Sequence, residues 1–181
     1  MDSKQIHTIL HSDSNVKDNN FLGVFPIDLI PMSAIKYPCS LVINTKPSSH
    51  TGEHWIGLYK DSKNSGVYFD SFGLPPYNLP EVGNVLEHCT EWTFNNKRLQ
   101  SDFSSVCGEY VIFFITFMSR GHTLDHITYM LSNEDDLYAN DALVFSYIKE
   151  KYKHLQGVNT DSLQIIDFPF VFNQISSTVS K

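Results

Sequence analysis

Four residues in this sequence have the types, and the order, from which a nucleophilic acyl-transfer site can be assembled: His54, Asp70, Gln100 and Cys107. Cys107 stands between Ser104-Ser105-Val106 and Gly108, where an apolar run begins. A thiol in the first turn of a helix feels the positive end of the macrodipole and the free N–H groups there, and both favour the nucleophilic thiolate. Gly108 removes a side chain from beside the sulfur, so that a substrate carbonyl can come close. Taken alone, a free cysteine is more often a small buried hydrophobe. His54 changes that balance. It follows Thr51-Gly52-Glu53 and precedes Trp55 at the start of a β-rich segment, from which an imidazole can reach a helix N-terminus and take the thiol proton. Asp70 ends the next β-rich segment, and pairing the two as a hairpin sets its carboxylate beside the His54 ring. Gln100 lies on the loop leading to the helix. Its amide N–H, with the Cys107 backbone N–H, would stabilise a tetrahedral oxyanion by roughly 3–4 kcal/mol per donor. Asp70 or Gln100 by itself reads as an ordinary turn or loop residue. The four types together, on the elements such a site needs, are a constellation.

Those elements can be traced along the chain. Residues 40–44 (SLVIN) form a strand, and residues 54–60 and 67–71 a hairpin with the turn 61–66 between them. Residues 91–94 offer another strand, and a helix starting at a proline spans 80–88. From 106 or 107 to 120 the chain is apolar all round, too long for an ordinary strand, and stopped by Gly121. That pattern describes a helix buried in the core. Leu143, Val144, Tyr147, Ile148 and Tyr152 repeat at spacings of three and four, so 140–154 is an amphipathic helix. Residues 11–20 read as a surface loop after a short helix, 21–38 as a mixed apolar segment broken by Pro26, Pro31 and Pro38, 165–171 as a further strand, and 176–181 as a fraying end. The expected class is α+β: a central mixed sheet flanked by helices, with the Cys107 nucleophile at the N-terminus of a buried helix.

The chain has 181 residues, which predicts a single domain over 1-181. Hydrophobic residues make up 41% and charged residues 18%, a globular balance that needs no disulfide or metal to support its core. The net charge of -7 argues against non-specific coating of nucleic acid, leaving at most weak binding. No apolar run approaches the ~20 residues of a membrane span, and the first residues lack the basic-then-apolar pattern of a secretory signal. Cys39, Cys89 and Cys107 are odd in number, widely spaced and without a CxxC, so neither a disulfide framework nor a cysteine zinc site is expected. His122 and His126 share a helical spacing, and His88 adjoins Cys89, but neither pair has supporting ligands; no metal is assigned. Glu134-Asp135-Asp136 reads as a charged helix start, Trp55 as a cover for the imidazole and Trp92 as core.

The ordered set Gly52-Glu53-His54-Trp55, Tyr68-Phe69-Asp70-Ser71-Phe72-Gly73 and Gln100 to Cys107-Gly108 resembles the adenain-like cysteine proteases, the adenovirus endoprotease family, with relatives in virophages and self-synthesising DNA transposons. Phe21-Leu22-Gly23, Val42-Ile43-Asn44-Thr45 and the region from Met130 to His154 extend the resemblance over most of the chain. It implies Cys107 as nucleophile, His54 as general base, Asp70 as its orienter and Gln100 as oxyanion donor. Gly52, Glu53, Trp55 and Gly108 are then expected to bind substrate. The implied function is a viral maturation endopeptidase that cleaves capsid and core precursor proteins at glycine-containing sites. It would work in the virion and at the site of virus assembly, nucleus or cytoplasmic factory, and would need no cofactor. Family members take a short viral peptide as activator, and Cys89 falls where the cysteine that pairs with it would lie; a buried strand cysteine is the alternative. Asp70 replaces a usual Glu, residues 73–89 are fewer than in adenoviral members, and the acidic charge argues against activation by DNA. Two other readings share the site: a protease of ubiquitin-like modifiers, and a catalytically inactive protein-binding relative.

Overall fold

Alternating side chains give the sheet its two apolar faces. The computed structural model of the chain describes residues 1–87, 89–132 and 136–155. Its five strands are β1 (Phe21–Pro26), β2 (Cys39–Asn44), β3 (Trp55–Lys60), β4 (Ser65–Phe69) and β5 (Glu91–Phe94), in the spatial order β1-β2-β3-β4-β5. The outer pairs β1–β2 and β4–β5 are parallel, and the inner pairs β2–β3 and β3–β4 antiparallel. Successive residues point to opposite faces of a strand. Val42, Tyr59 and Phe69 accordingly join one apolar cluster, while Leu41, Ile43, Ile56, Leu58 and Tyr68 join the other.

The first face is covered by α4 (Cys107–Met118), in which every residue from Gly108 to Met118 is buried. With apolar residues on all sides, this helix belongs between layers. It crosses β3, where Gly57 leaves room for the Phe114 ring: a Cβ at Gly57 would lie 2.8 Å from it. Phe114 also stacks on Phe69 with ring centroids 4.7 Å apart. Around α4 pack α1 (Ser3–Ser12), α5 (Leu124–Met130) and α6 (Leu137–Tyr152). The second face is covered by α3 (Pro80–Leu86) through Val82, Val85 and Leu86. The class is therefore α+β, a five-stranded mixed sheet flanked by helices. Among the described residues no helix is long and apolar enough to cross a membrane.

Several elements depart from the sequence expectation or were not part of it. The 11–20 segment contains a helix, α2 (Ser14–Asp18), because Asp13 caps it through the N–H groups of Asn15 and Val16 and is itself held by Arg120 and Lys151. The 21–38 segment opens with β1. Its signal was masked by Gly23, at φ +132° beside a register shift, and by Pro26, which has no N–H to give a ladder. Short α5 is started by Thr123, whose hydroxyl accepts from the His126 N–H. The hairpin turn is tighter than expected, since β4 already begins at Ser65. Helix α4 ends two residues early, with Gly121 at φ +82° just beyond it. Asp136 caps α6, which starts at Leu137. The expected strand at 165–171 and fraying end at 176–181, together with Glu134, Asp135 and His88, lie outside the described residues.

Candidate active site

Cys107 is the first residue of α4, and the N-cap, Val106, has no side chain that could occupy the helix's leading N–H groups. The thiol therefore sits at an uncapped positive end. His54 precedes β3; its carbonyl accepts from the Thr45 N–H, which ties it to the end of β2. The His54 Nε2 lies 3.0 Å from Asp70 Oδ1, and Cys107 lies close enough to the ring to raise its pKa. With Nε2 on the carboxylate, Nδ1 is the nitrogen left for the thiol. Burial alone would push the imidazolium to lose its proton. Asp70, through its hydrogen bond and its charge, and after it the neighbouring Cys107 outweigh burial and hold the His54 pKa at about 9. The ring that packs on this imidazole is Phe72, with centroids 5.0 Å apart, and the Arg98 guanidinium lies on the same phenyl ring at 5.0 Å. Trp55 stands elsewhere: its indole N–H donates to the Met1 carbonyl at 3.3 Å.

Asp70 is buried and held from several sides. Its Oδ1 also accepts from the Phe72 N–H at 2.8 Å, and Tyr68 O–H reaches Oδ2 at 3.4 Å. Asn95 clamps its backbone: Oδ1 accepts from the Asp70 N–H at 3.0 Å, and Nδ2 donates to the Asp70 carbonyl at 2.5 Å. The two loops close on each other where Gly73, at φ +69°, lies against Lys97; a Cβ there would meet the Lys97 carbonyl at 2.6 Å. Nothing in the local sequence singled out Asn95, and Phe72 stood in the 68–73 element without a role of its own. An asparagine after a strand is common, and its partner lies 25 positions away.

Gln100 is buried, and its amide has one orientation. Ser71 O–H donates to Oε1 at 2.7 Å, while Nε2 donates to the Ser104 carbonyl at 2.9 Å and lies 3.1 Å from the Ser104 hydroxyl. His54, Gln100, Ser104, Ser105 and Cys107 line one cleft of about 930 Å3, together with Gly52, Glu53 and Trp55. Glu53 sits at its rim in a 2.7 Å ion pair with Lys46, both side chains exposed. At Gly52 a Cβ would meet the Asn44 amide at 2.5 Å, so the glycine keeps Asn44 against the cleft wall.

Two assignments need correction or relocation. Gly108 does not line the cleft. The space a Cβ would take is closed by Met1 Cβ at 3.1 Å and Ile6 Cδ1 at 3.4 Å, so its missing side chain admits the N-terminal segment and α1, and not a substrate. Cys89 is a free, half-buried thiol on the opposite face of the sheet, packed with the α3 cluster and lining a separate cavity of about 250 Å3. Among the described residues no three His, Cys, Asp or Glu gather as a metal site. Burial raises the Cys39 thiol to about 11 against the opposing charge of Lys60, so it is a poor nucleophile at neutral pH.

No family model and no curated protein matches the sequence. Among solved structures, the central domain of the uncharacterized Lpg1148 protein from Legionella pneumophila is similar in fold, with a TM-score of 0.50 and 14% identity over 85% of this chain and 96% of that one. A partial likeness to the ASFV pS273R protease has a TM-score of 0.35 and 27% identity, and covers 49% of this chain; the chain spans 37% of that protease's length.

Proposed function

We propose that this chain is a thiol endopeptidase. The observation that carries the reading is the Asp70–His54 hydrogen bond with Cys107 in the same cleft as the imidazole, its sulfur at an uncapped helix N-terminus. A His54 that keeps its proton to about pH 9 favours an imidazolium–thiolate pair in the resting site. The thiolate adds to the peptide carbonyl, and the oxyanion so formed meets the first N–H groups of α4 and the Gln100 amide. One of the two Nε2 bonds of Gln100 ends on the Ser104 hydroxyl, which rotation moves aside for the oxyanion. The peptide C–N bond then breaks as His54 passes its proton to the leaving amine. Water, deprotonated by His54, cleaves the thioester and restores the pair.

The substrate class we propose is viral capsid and core precursor polypeptides cut at glycine-containing sites, during assembly and within the virion. That part rests on the sequence resemblance, as does a peptide activator reaching Cys89. The deciding experiment is iodoacetamide alkylation of each cysteine across pH, read by mass spectrometry, in wild type and His54→Ala. Preferential reaction of Cys107 below the ordinary thiol range of ~8.5, abolished in His54→Ala, supports the reading. Reaction of Cys107 no faster than Cys89 sinks it. Glycine-containing peptides and an intact ubiquitin-like modifier then separate the two protease classes.

A further inference from the structure

Gln100 is gripped through its two neighbours in the chain by a buried polar cluster that no step of the chemistry uses. Asp141 of α6 is 4% exposed, Asn140 beside it 2%, and Tyr110 of α4 is fully buried. The Ser101 hydroxyl donates to Asp141 Oδ2 at 2.5 Å, and the Ser101 N–H points at both carboxylate oxygens at 3.4 Å. On the other side, Asn140 Nδ2 donates to the Leu99 carbonyl at 3.2 Å. The Tyr110 hydroxyl lies 2.7 Å from that carbonyl and 3.0 Å from Asp141 Oδ1. It has one proton for two acceptors. The hydroxyl therefore bridges the Leu99 carbonyl and the carboxylate, tying the two together. Burial and the Asp141 charge both hold the Tyr110 hydroxyl far above its usual range, so it acts as a donor throughout.

We infer that Asp141 is a positioning residue for Gln100, fixing the 99–101 backbone to the helix that carries Cys107. Two features make this more than core packing. Taking a carboxylate out of water is costly unless its bonds are made, so an apolar residue would fill this position at lower cost if only volume were needed. The cluster also joins the two sides of the oxyanion site: Tyr110 lies one turn along α4 from Cys107, and Ser101 adjoins Gln100. An oxyanion donor acts only when held to within a few tenths of an ångström, and such precision comes from groups behind it.

The inference rests on the peptidase reading, and its test has a readout that does not. In peptide hydrolysis, Asp141→Ala is expected to lower kcat by about 10–100-fold with KM nearly unchanged, approaching the loss in Gln100→Ala. Asp141→Asn, which keeps one acceptor for Ser101, recovers part of it. Ser101→Ala, which removes only a hydroxyl and guards against a fold too damaged to measure, shows the same kcat-only pattern at smaller size. In a Gln100→Ala background Asp141→Ala adds no further loss of kcat, because the group it positions is gone. By NMR, the Gln100 side-chain amide exchanges faster with solvent in Asp141→Ala, while Cys107 keeps its alkylation profile. A full multiplicative loss in the double variant, or unchanged exchange at Gln100, overturns the inference. Absence of peptidase activity in the wild type removes the functional reading, and the exchange measurement still decides the positioning.

Discussion

Asp70 holds His54 from the turn that follows the hairpin, not from a position paired with it across the ladder. The register pairs Gly57 with Phe69, Leu58 with Tyr68 and Tyr59 with Val67; beyond Phe69 the chain turns, and the Gly73 N–H donates to the Asp70 carbonyl at 2.8 Å. That turn brings both the Phe72 ring onto the imidazole and the Asp70 carboxylate to its Nε2. The Phe72 N–H and Asn95 aim the carboxylate at the ring.

Substitution at Asp70 tests this aim. Both the His54 ring and the Phe72 N–H donate to one oxygen, Oδ1, so an asparagine is obliged to present its carbonyl oxygen to the same pair. Asp70→Asn is expected to reduce kcat by about tenfold, whereas Asp70→Ala loses about a hundredfold or more. Equal losses in the two variants would show that the charge, and not the held geometry, is what His54 needs.

The His54 titration has a defined sign. Its pKa rises from 6.5 in the unfolded chain to about 9 in the fold, so its protonated form stabilises the native state. That contribution is complete below about pH 6.5 and is lost as pH rises through 9. Urea unfolding of wild type and His54→Gln should show the stability difference shrinking across this window. NMR titration of Cys107→Ser should bring the His54 midpoint down toward 6.5, since Cys107 is one of the two groups that raise it. An unchanged midpoint would mean that the thiol does not contribute.

Glu109, in the first turn of α4, carries a different pH signal. It is buried, and its Oε2 finds no hydrogen-bond partner among the described residues. Burial raises its pKa above 4.5, against the pull of the N-terminal amino group. The unfolded chain therefore releases the proton first, and stability falls as pH rises above the ordinary carboxylate range. Glu109→Gln should gain on the order of 1 kcal/mol at about pH 8 and nothing near pH 4 in chemical denaturation.

Gly57 tests the packing of the helix that carries Cys107. Gly57→Ala sets a methyl group 2.8 Å from the Phe114 ring, and overpacking of this kind costs about 1–3 kcal/mol. Phe114→Leu should recover part of that loss in the double variant, as judged by thermal unfolding. Additive losses would place the strain elsewhere.

The residue types and the local periods were legible because they are written in short windows. The types at 54, 70, 100 and 107, the apolar run that becomes α4, and the alternation in β2 and β3 each need only a dozen residues of context. What the tertiary structure decided depends on pairs far apart in the chain. Asn95 clamps Asp70 and Asp141 grips Ser101 through bonds spanning 25 and 40 positions, and their residue types alone suggest ordinary loop and helix-surface roles. Register is equally non-local: β3 and β4 pair Gly57 with Phe69, and a two-residue shift would leave the alternation of side chains unchanged. Gly108 looked open to substrate because its surroundings were unknown, and α1 closes that space. Local periodicity specifies which face of an element is apolar. Which neighbour covers that face is chosen by packing summed over the whole molecule.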